Sequence, residues 1–182
     1  MGELLESSRS GGVDAAQLSW DRGKSATVSI DLTQFISFTI GDDSYGVDIM
    51  AVREIKGWSE IAHLPEQPDY VRGVLNLRGA IVPIVDLRCR FGLGLTEATH
   101  LHVVIIVQIG DRLVGLLLDR VSDIISVESE SIKAVPRVSD SEQLDFLLGI
   151  VTIEDKLIAL IQLNQLLGVG VGDVSVTAPQ AA

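Results

Sequence analysis

The chain has 182 residues and a mass of 19.6 kDa, 47% of them hydrophobic and 21% charged, a balance that excludes a disordered chain and allows one domain with a real core. A formal charge of −11, from 25 acidic against 14 basic residues, argues against nucleic acid or an anionic membrane as the main partner. The apolar runs Val103–Ile109 and Leu113–Leu118 are broken by Gly110, Asp111 and Arg112, short of the roughly 20 residues of a spanning helix. Met1–Ser10 lacks the apolar stretch of a signal peptide, and the single Cys89 has no internal disulfide partner, which suits a reducing cytoplasm.

Residues 1–33, rich in Ser and Gly, read as a flexible N-terminal extension. From Gln34 onward, short apolar runs bounded by turn residues predict an all-β unit. Phe35–Ile40 and Tyr45–Ile49 flank a Gly-Asp-Asp-Ser turn and form a hairpin. Ile49, Val52 and Ile55 share a helical face, leaving Arg53, Glu54 and Lys56 accessible. Val74–Leu77 and Ala80–Leu87 are the next strands, with Pro83 suited to an edge or bulge. Val103–Ile109 and Arg112–Leu118 make another hairpin, and Leu147–Ile153 and Lys156–Leu163 a third, around Glu154 and Asp155. Asn164–Leu167 reads as helical and residues 169–182 as a flexible tail.

The folded stretch is duplicated. Ile40, Gly41, Asp42 and Gly46 recur as Ile109, Gly110, Asp111 and Gly115 at an offset of 69, and Gly73–Leu87 recurs as Gly149–Leu163 at 76. Each copy, near 34–100 and 101–168, has the length of one small β-barrel, so one barrel per copy is expected. Such small units need to pack on each other, and the groove between them is a natural place for partners.

Catalytic and metal signatures are weak. His100 and His102 would lie on one side of a strand, a spacing zinc can use, but no further ligand pattern accompanies them or His63. There is no nucleophile elbow, phosphate loop or dinucleotide fingerprint, and Asp48, Asp86 and Asp119 read as strand-end or turn carboxylates. No catalytic, cofactor or metal residue is therefore assigned. By contrast, Arg53, Lys56, Arg72, Arg78, Arg88 and Arg90 place six of the fourteen basic residues in one window, suited to an acidic or mixed-charge protein partner. The two copies also differ in sign at one hairpin tip, Arg78-Gly79 against Glu154-Asp155.

Gln34-Phe35-Ile36-Ser37-Phe38, Tyr45-Gly46-Val47-Asp48-Ile49, Val52-Arg53-Glu54-Ile55, Arg72-Gly73-Val74-Leu75-Asn76-Leu77-Arg78-Gly79 and the run Ile81 to Arg88 carry a family resemblance. Over Gln34–Gly168 the chain resembles the CheW family of bacterial chemotaxis coupling proteins. The resemblance implies two five-stranded SH3-like barrels, intertwined in sequence, around a shared hydrophobic core with a few short helices. It implies a non-enzymatic cytoplasmic adaptor between methyl-accepting chemoreceptor tips and the regulatory domain of a CheA-type histidine kinase. Further copies of the fold would take part in array rings, without cofactor, nucleic acid or membrane insertion. The family's receptor contact falls on Ile49, Val52, Glu54 and Arg78, and its kinase contacts on Val103 and Val121 in the second copy and on the loop holding Lys133 and Val138. In that loop Arg137 and Val138 depart from the family pattern. Alternatives are the same adaptor in pilus or gliding motility, a small-molecule-binding barrel, or a hydrolase using His63 or Asp86.

Overall fold

The computed structural model describes residues 31–136 and 145–168. Ten strands dominate: β1 (Leu32–Ile40), β2 (Asp43–Asp48), β3 (Val52–Gly57), β4 (Val71–Leu77), β5 (Ala80–Asp86), β6 (Val103–Ile109), β7 (Arg112–Leu118), β8 (Arg120–Glu128), β9 (Leu147–Ile153) and β10 (Lys156–Ile161). Two short helices, α1 (Leu87–Arg90) and α2 (Leu163–Gly168), follow β5 and β10. β1 starts two residues before the expected Gln34, because Leu32 and Thr33 pair with Glu128 and Val127 of β8.

The segment expected to be helical is a three-residue 3-10 turn, Ile49–Ala51, followed at once by β3. Asp48 caps the turn by accepting from the Met50 N–H at 2.8 Å. Pairing with β6 overrides the helical spacing, so Val52, Glu54 and Lys56 are half-buried while Arg53 and Ile55 face outward. β3 and β8 escape an apolar-run search because each buries at most alternate side chains. α1 is likewise unexpected, and Asp86 at its N-cap accepts from the Cys89 N–H at 3.2 Å.

The strands form two five-stranded sheets, with the order β8-β1-β2-β10-β9 in barrel I and β3-β6-β7-β5-β4 in barrel II. One copy does not make one barrel. The hairpin of each copy joins the last three strands of the other, so barrel II is the contiguous stretch from β3 to β7, inserted between β2 and β8 of barrel I. The duplication nevertheless holds residue by residue. Ile36 faces Ile124 across β1 and β8, and the equivalent Ile105 faces Ile55 across β6 and β3. Gly46 faces Leu160 in the parallel pair β2–β10, and Gly115 faces Ile84 in the parallel pair β7–β5. Pro83 lies just before the parallel stretch, which runs from Ile84 to Asp86.

Among the described residues each sheet is closed by one bridge between the chain after one edge strand and the opposite edge. Ala62 and Val74 exchange backbone bonds of 2.9 and 2.8 Å, and Lys133 and Ile150 do the same at 2.9 and 2.8 Å. The neighbours Gly73 and Gly149 permit that approach. A Cβ on Gly73 would strike the Ala62 carbonyl, at a φ of +142°, and one on Gly149 would meet the Ile132 side chain and lie 2.8 Å from the Lys133 carbonyl oxygen.

Three apolar clusters follow from this arrangement. Phe35, Val127, Val151, Ile158 and Leu160 fill barrel I, while Leu75, Val82, Ile84, Val104, Ile106 and Leu117 fill barrel II. The largest, with Ile36, Phe38 and Val47 of barrel I and Val85, Ile105, Val107 and Leu116 of barrel II, is shared between them. α2 adds Leu163, Leu166 and Leu167 to it. Strands such as β6 are buried on both faces, which explains their unbroken apolar sequence. The few aromatic residues concentrate here: Phe38, Tyr45, Phe91 and Phe146 form a ladder with successive ring centroids 6.0, 4.8 and 4.9 Å apart.

Closure at Gly149 generates a stability prediction. Gly149→Ala costs about 1–3 kcal/mol in urea unfolding, because backbone and Ile132 must shift. Gly57→Ala, where a Cβ meets nothing within 4 Å, is neutral or stabilising by up to about 1 kcal/mol. Equal stability of Gly149→Ala and the parent protein would contradict the tight closure.

Candidate functional site

The four residues assigned to a receptor contact come from the 3-10 turn, β3 and the β4–β5 hairpin tip. Ile49 and Val52 are half-buried and pack on the shared core between the barrels. Glu54 and Arg78 meet directly, with Arg78 Nη2 3.2 Å from Glu54 Oε2. The Glu54 side chain is 29% exposed and that of Arg78 is 81% exposed, so the pair is presented to solvent. Arg78 adopts a φ of +52°, a left-handed turn conformation, and the Asn76 side chain accepts from the following Gly79 N–H at 2.8 Å. The equivalent tip in barrel I carries Glu154 and Asp155, also at positive φ, so the turn shape is shared and only the sign of the charge differs.

The elements that carry these four residues also expose apolar side chains outside the receptor assignment: Met50 of the 3-10 turn is 77% exposed, Ile81 of β5 50% and Ile55 of β3 44%. Ile55, grouped with Val52 by helical spacing, instead lies in β3 on the face opposite Val52. The basic window does not form one free cationic face. Arg53 donates to Gln108 at 2.7 Å, Arg72 pairs with Asp86, Arg88 lies 3.7 Å from Asp119, and Arg90 stacks over the Tyr70 ring.

Val103 and Val121 fall in different barrels, not together in one: Val103 opens β6 of barrel II and Val121 belongs to β8 of barrel I. Both are half-buried against the shared core on either side of the crossover at Asp119. The Asp119 carboxylate ties the barrels together there. It accepts from the Gly41 N–H of the β1–β2 turn at 2.7 Å, with Arg88 at 3.7 Å and His102 Nε2 at 3.8 Å. The Thr99 N–H donates to His102 Nδ1 at 3.0 Å, which leaves the ring proton of neutral His102 on Nε2, toward Asp119. His100 and His102 sit in and beside a turn, not in a strand, so the two-residue spacing places them on no common strand face. Lys133 forms the bridge that closes barrel I, and its side chain is exposed. Val138 lies outside the described residues.

Asp86, read from sequence as a strand-end carboxylate, is fully buried. Arg72 Nη1, the Thr96 N–H, the Thr96 hydroxyl and the Cys89 N–H all donate to it, at 3.0, 2.8, 2.7 and 3.2 Å. With every lone pair directed at a donor the buried charge is compensated, and the network pins the long β5–β6 connection to barrel II. Burial, followed by the Asp86 and Asp69 charges and opposed by Arg72, raises the Cys89 thiol, which keeps it protonated and poorly nucleophilic. Burial and Asp43 raise the Tyr45 hydroxyl in the same way. Among the described residues no group of three or more His, Cys, Asp or Glu is placed to hold a metal ion.

Two barrels share one core, an exposed ion pair stands on barrel II, and half-buried valines from both barrels pack at their junction. The CheW-like domain model matches residues 34–171. The chain is 44% identical over 131 residues to the chemotaxis protein CheW of Rhizobium meliloti, covering 72% of this chain and 84% of that one. It is 37% identical over 137 residues to the Klebsiella aerogenes chemotaxis protein CheW, covering 74% and 81%. The crystal structure of the scaffolding protein TtCheW from Thermoanaerobacter tengcongensis superposes with a TM-score of 0.67 at 34% identity, over 74% of this chain and 86% of that one. The duplicated barrels and these relatives together place the chain in the CheW-like family of chemotaxis scaffold proteins.

Proposed function

We propose that this chemotaxis adaptor holds two kinds of partner on separate surfaces, chemoreceptor tips at Ile49, Val52, Glu54 and Arg78, and the regulatory domain of a CheA-type histidine kinase at Val103 and Val121 and around Lys133 and Val138. The observation that carries the receptor assignment is the exposed Glu54–Arg78 pair, which offers both signs of charge on elements that also expose Met50 and Ile81. A helical receptor tip of mixed charge can exchange its own carboxylates and amines into that pair while burying apolar side chains on its border. Val103 and Val121 support the kinase assignment because they present aliphatic surface from both barrels at one junction. Copies of the same fold would extend the assembly into rings. The adaptor acts by holding partners in register, with no bond made or broken, in the cytoplasm beside membrane-bound receptors.

Two variants separate the surfaces. Arg78→Ala leaves stability within about 0.5 kcal/mol in urea unfolding, since an exposed pair contributes little. Arg78→Glu lowers receptor affinity by about 2–5 kcal/mol where the pair becomes desolvated in the complex, and leaves kinase binding at the parent value. Loss of kinase binding with receptor binding intact would reverse the assignment. Val121→Glu introduces a charge that the kinase interface would desolvate without a partner, so calorimetry with the kinase regulatory domain shows weakened binding while receptor binding persists. Unchanged affinity for the kinase domain places that interface elsewhere.

A further inference from the structure

Barrel II carries a surface cavity of about 340 Å³, lined by Trp58, Glu60, Ile61, His63, Arg72 and Ala98. Trp58, Ile61 and Ala98 are partly buried against the apolar interior of barrel II, so they anchor this open cavity to the core and place one flat aromatic side chain in its lining, among polar groups. Arg72 supplies its polar element and is held in place. Arg72 Nη1 donates to Asp86 at 3.0 Å and to the Thr96 carbonyl at 2.6 Å, both residues buried. Among the described residues nothing accepts from Nε or Nη2, and the Arg72 side chain keeps 22% exposure. One full edge of the guanidinium, two parallel N–H donors, is thus available in an orientation fixed by buried partners.

We propose that this cavity binds a carboxylate attached to a flat apolar body, with the carboxylate on the Nε–Nη2 edge of Arg72 and the apolar body against Trp58, Ile61 and Ala98. A planar two-oxygen anion matches the spacing of that donor edge, which an ammonium or a single carbonyl does not. The volume lies at the lower end of the range for small-ligand sites, enough for one aromatic ring system and its acid. Asp86 already balances the Arg72 charge and Glu60 stands at the exposed rim, so recognition rests on geometry and burial more than on net attraction, and Glu60 opposes it. The same chemistry is offered by a free aryl carboxylate and by a partner chain ending in an aromatic residue. The site is independent of the receptor and kinase assignments.

The test is a 15N–1H NMR titration of the full chain with indole-3-acetate, indole-3-acetamide, and acetyl-Gly-Trp as the free acid and as the amide. The expected result is saturable shifts at the Trp58 indole N–H and the Ala98 amide with at least one of the two acids, and binding about tenfold or more weaker for its amide. Saturation by indole-3-acetate assigns the site to free acids, and saturation by the peptide acid alone assigns it to a partner's C-terminus. Glu60→Gln tightens binding severalfold, and Ala98→Trp, which fills the cavity, abolishes it while the spectrum remains that of a folded chain. Arg72→Lys keeps a cation for Asp86 but removes the fork, so affinity falls about tenfold or more; should that variant unfold, the acid–amide comparison on the parent protein decides alone. Equal binding of acid and amide, shifts remote from Trp58, or no saturation by either acid overturns the proposal.

Discussion

Two strands can pair closely only where the side chains along their seam leave room, and at Gly46 and Gly115 that requirement joins strands of the two copies. A Cβ on Gly46 would sit 3.0 Å from Leu160, and one on Gly115 would lie 2.9 Å from Val104 and strike Ile84. Among the described residues these glycines occupy the two parallel pairings, β2 with β10 and β7 with β5, where strands from opposite copies meet. The exchange of hairpins between copies depends on those seams. Once it is made, β1, β5, β6 and β7 contribute side chains to a core belonging to both barrels as well as to the interior of one.

The proposed docking surfaces depend on the shared core because it fixes the junction. Asp119 fastens the β1–β2 turn of barrel I to the end of β7 and the start of α1 in barrel II, with Val103 and Val121 to either side. Ile49 and Val52 lean on the same core from the chain that crosses from barrel I into barrel II. A scaffold needs its docking surfaces at constant separation, and a close-packed interior with interlocked side chains supplies that rigidity.

Much of the fold was legible in the sequence because the duplication repeats its turn glycines and its apolar runs. Gly46 and Gly115, and Gly73 and Gly149, correspond in register as the offsets require. The assignment of copies to barrels was not legible, since apolar periodicity reports that a strand is buried and carries no information about which strand it lies beside. β3 was lost for a related reason: Ile49, Val52 and Ile55 fit a helix as well as a turn followed by a strand, and only the ladder to β6 decides. At the site, Glu54 and Arg78 were both named from family resemblance, and Arg78 also from the sign reversal at the tip; their ion pair with each other was not legible, because it arises from the fold. The Asp86–Arg72–Thr96 network and the Asp119 tie were missed because each joins residues whose proximity arises from strand topology rather than from spacing.

The central claim is that the two barrels, divided between the copies, share one core and unfold as one body. Native-state hydrogen exchange measures this directly by comparing buried amides of β1 and β2 in barrel I with those of β6 and β7 in barrel II across increasing denaturant. Convergence of both sets on one global opening free energy, with one dependence on denaturant, is the result expected of an interlocked pair. Loss of protection in one barrel at a lower free energy, while the other keeps its own, would contradict it.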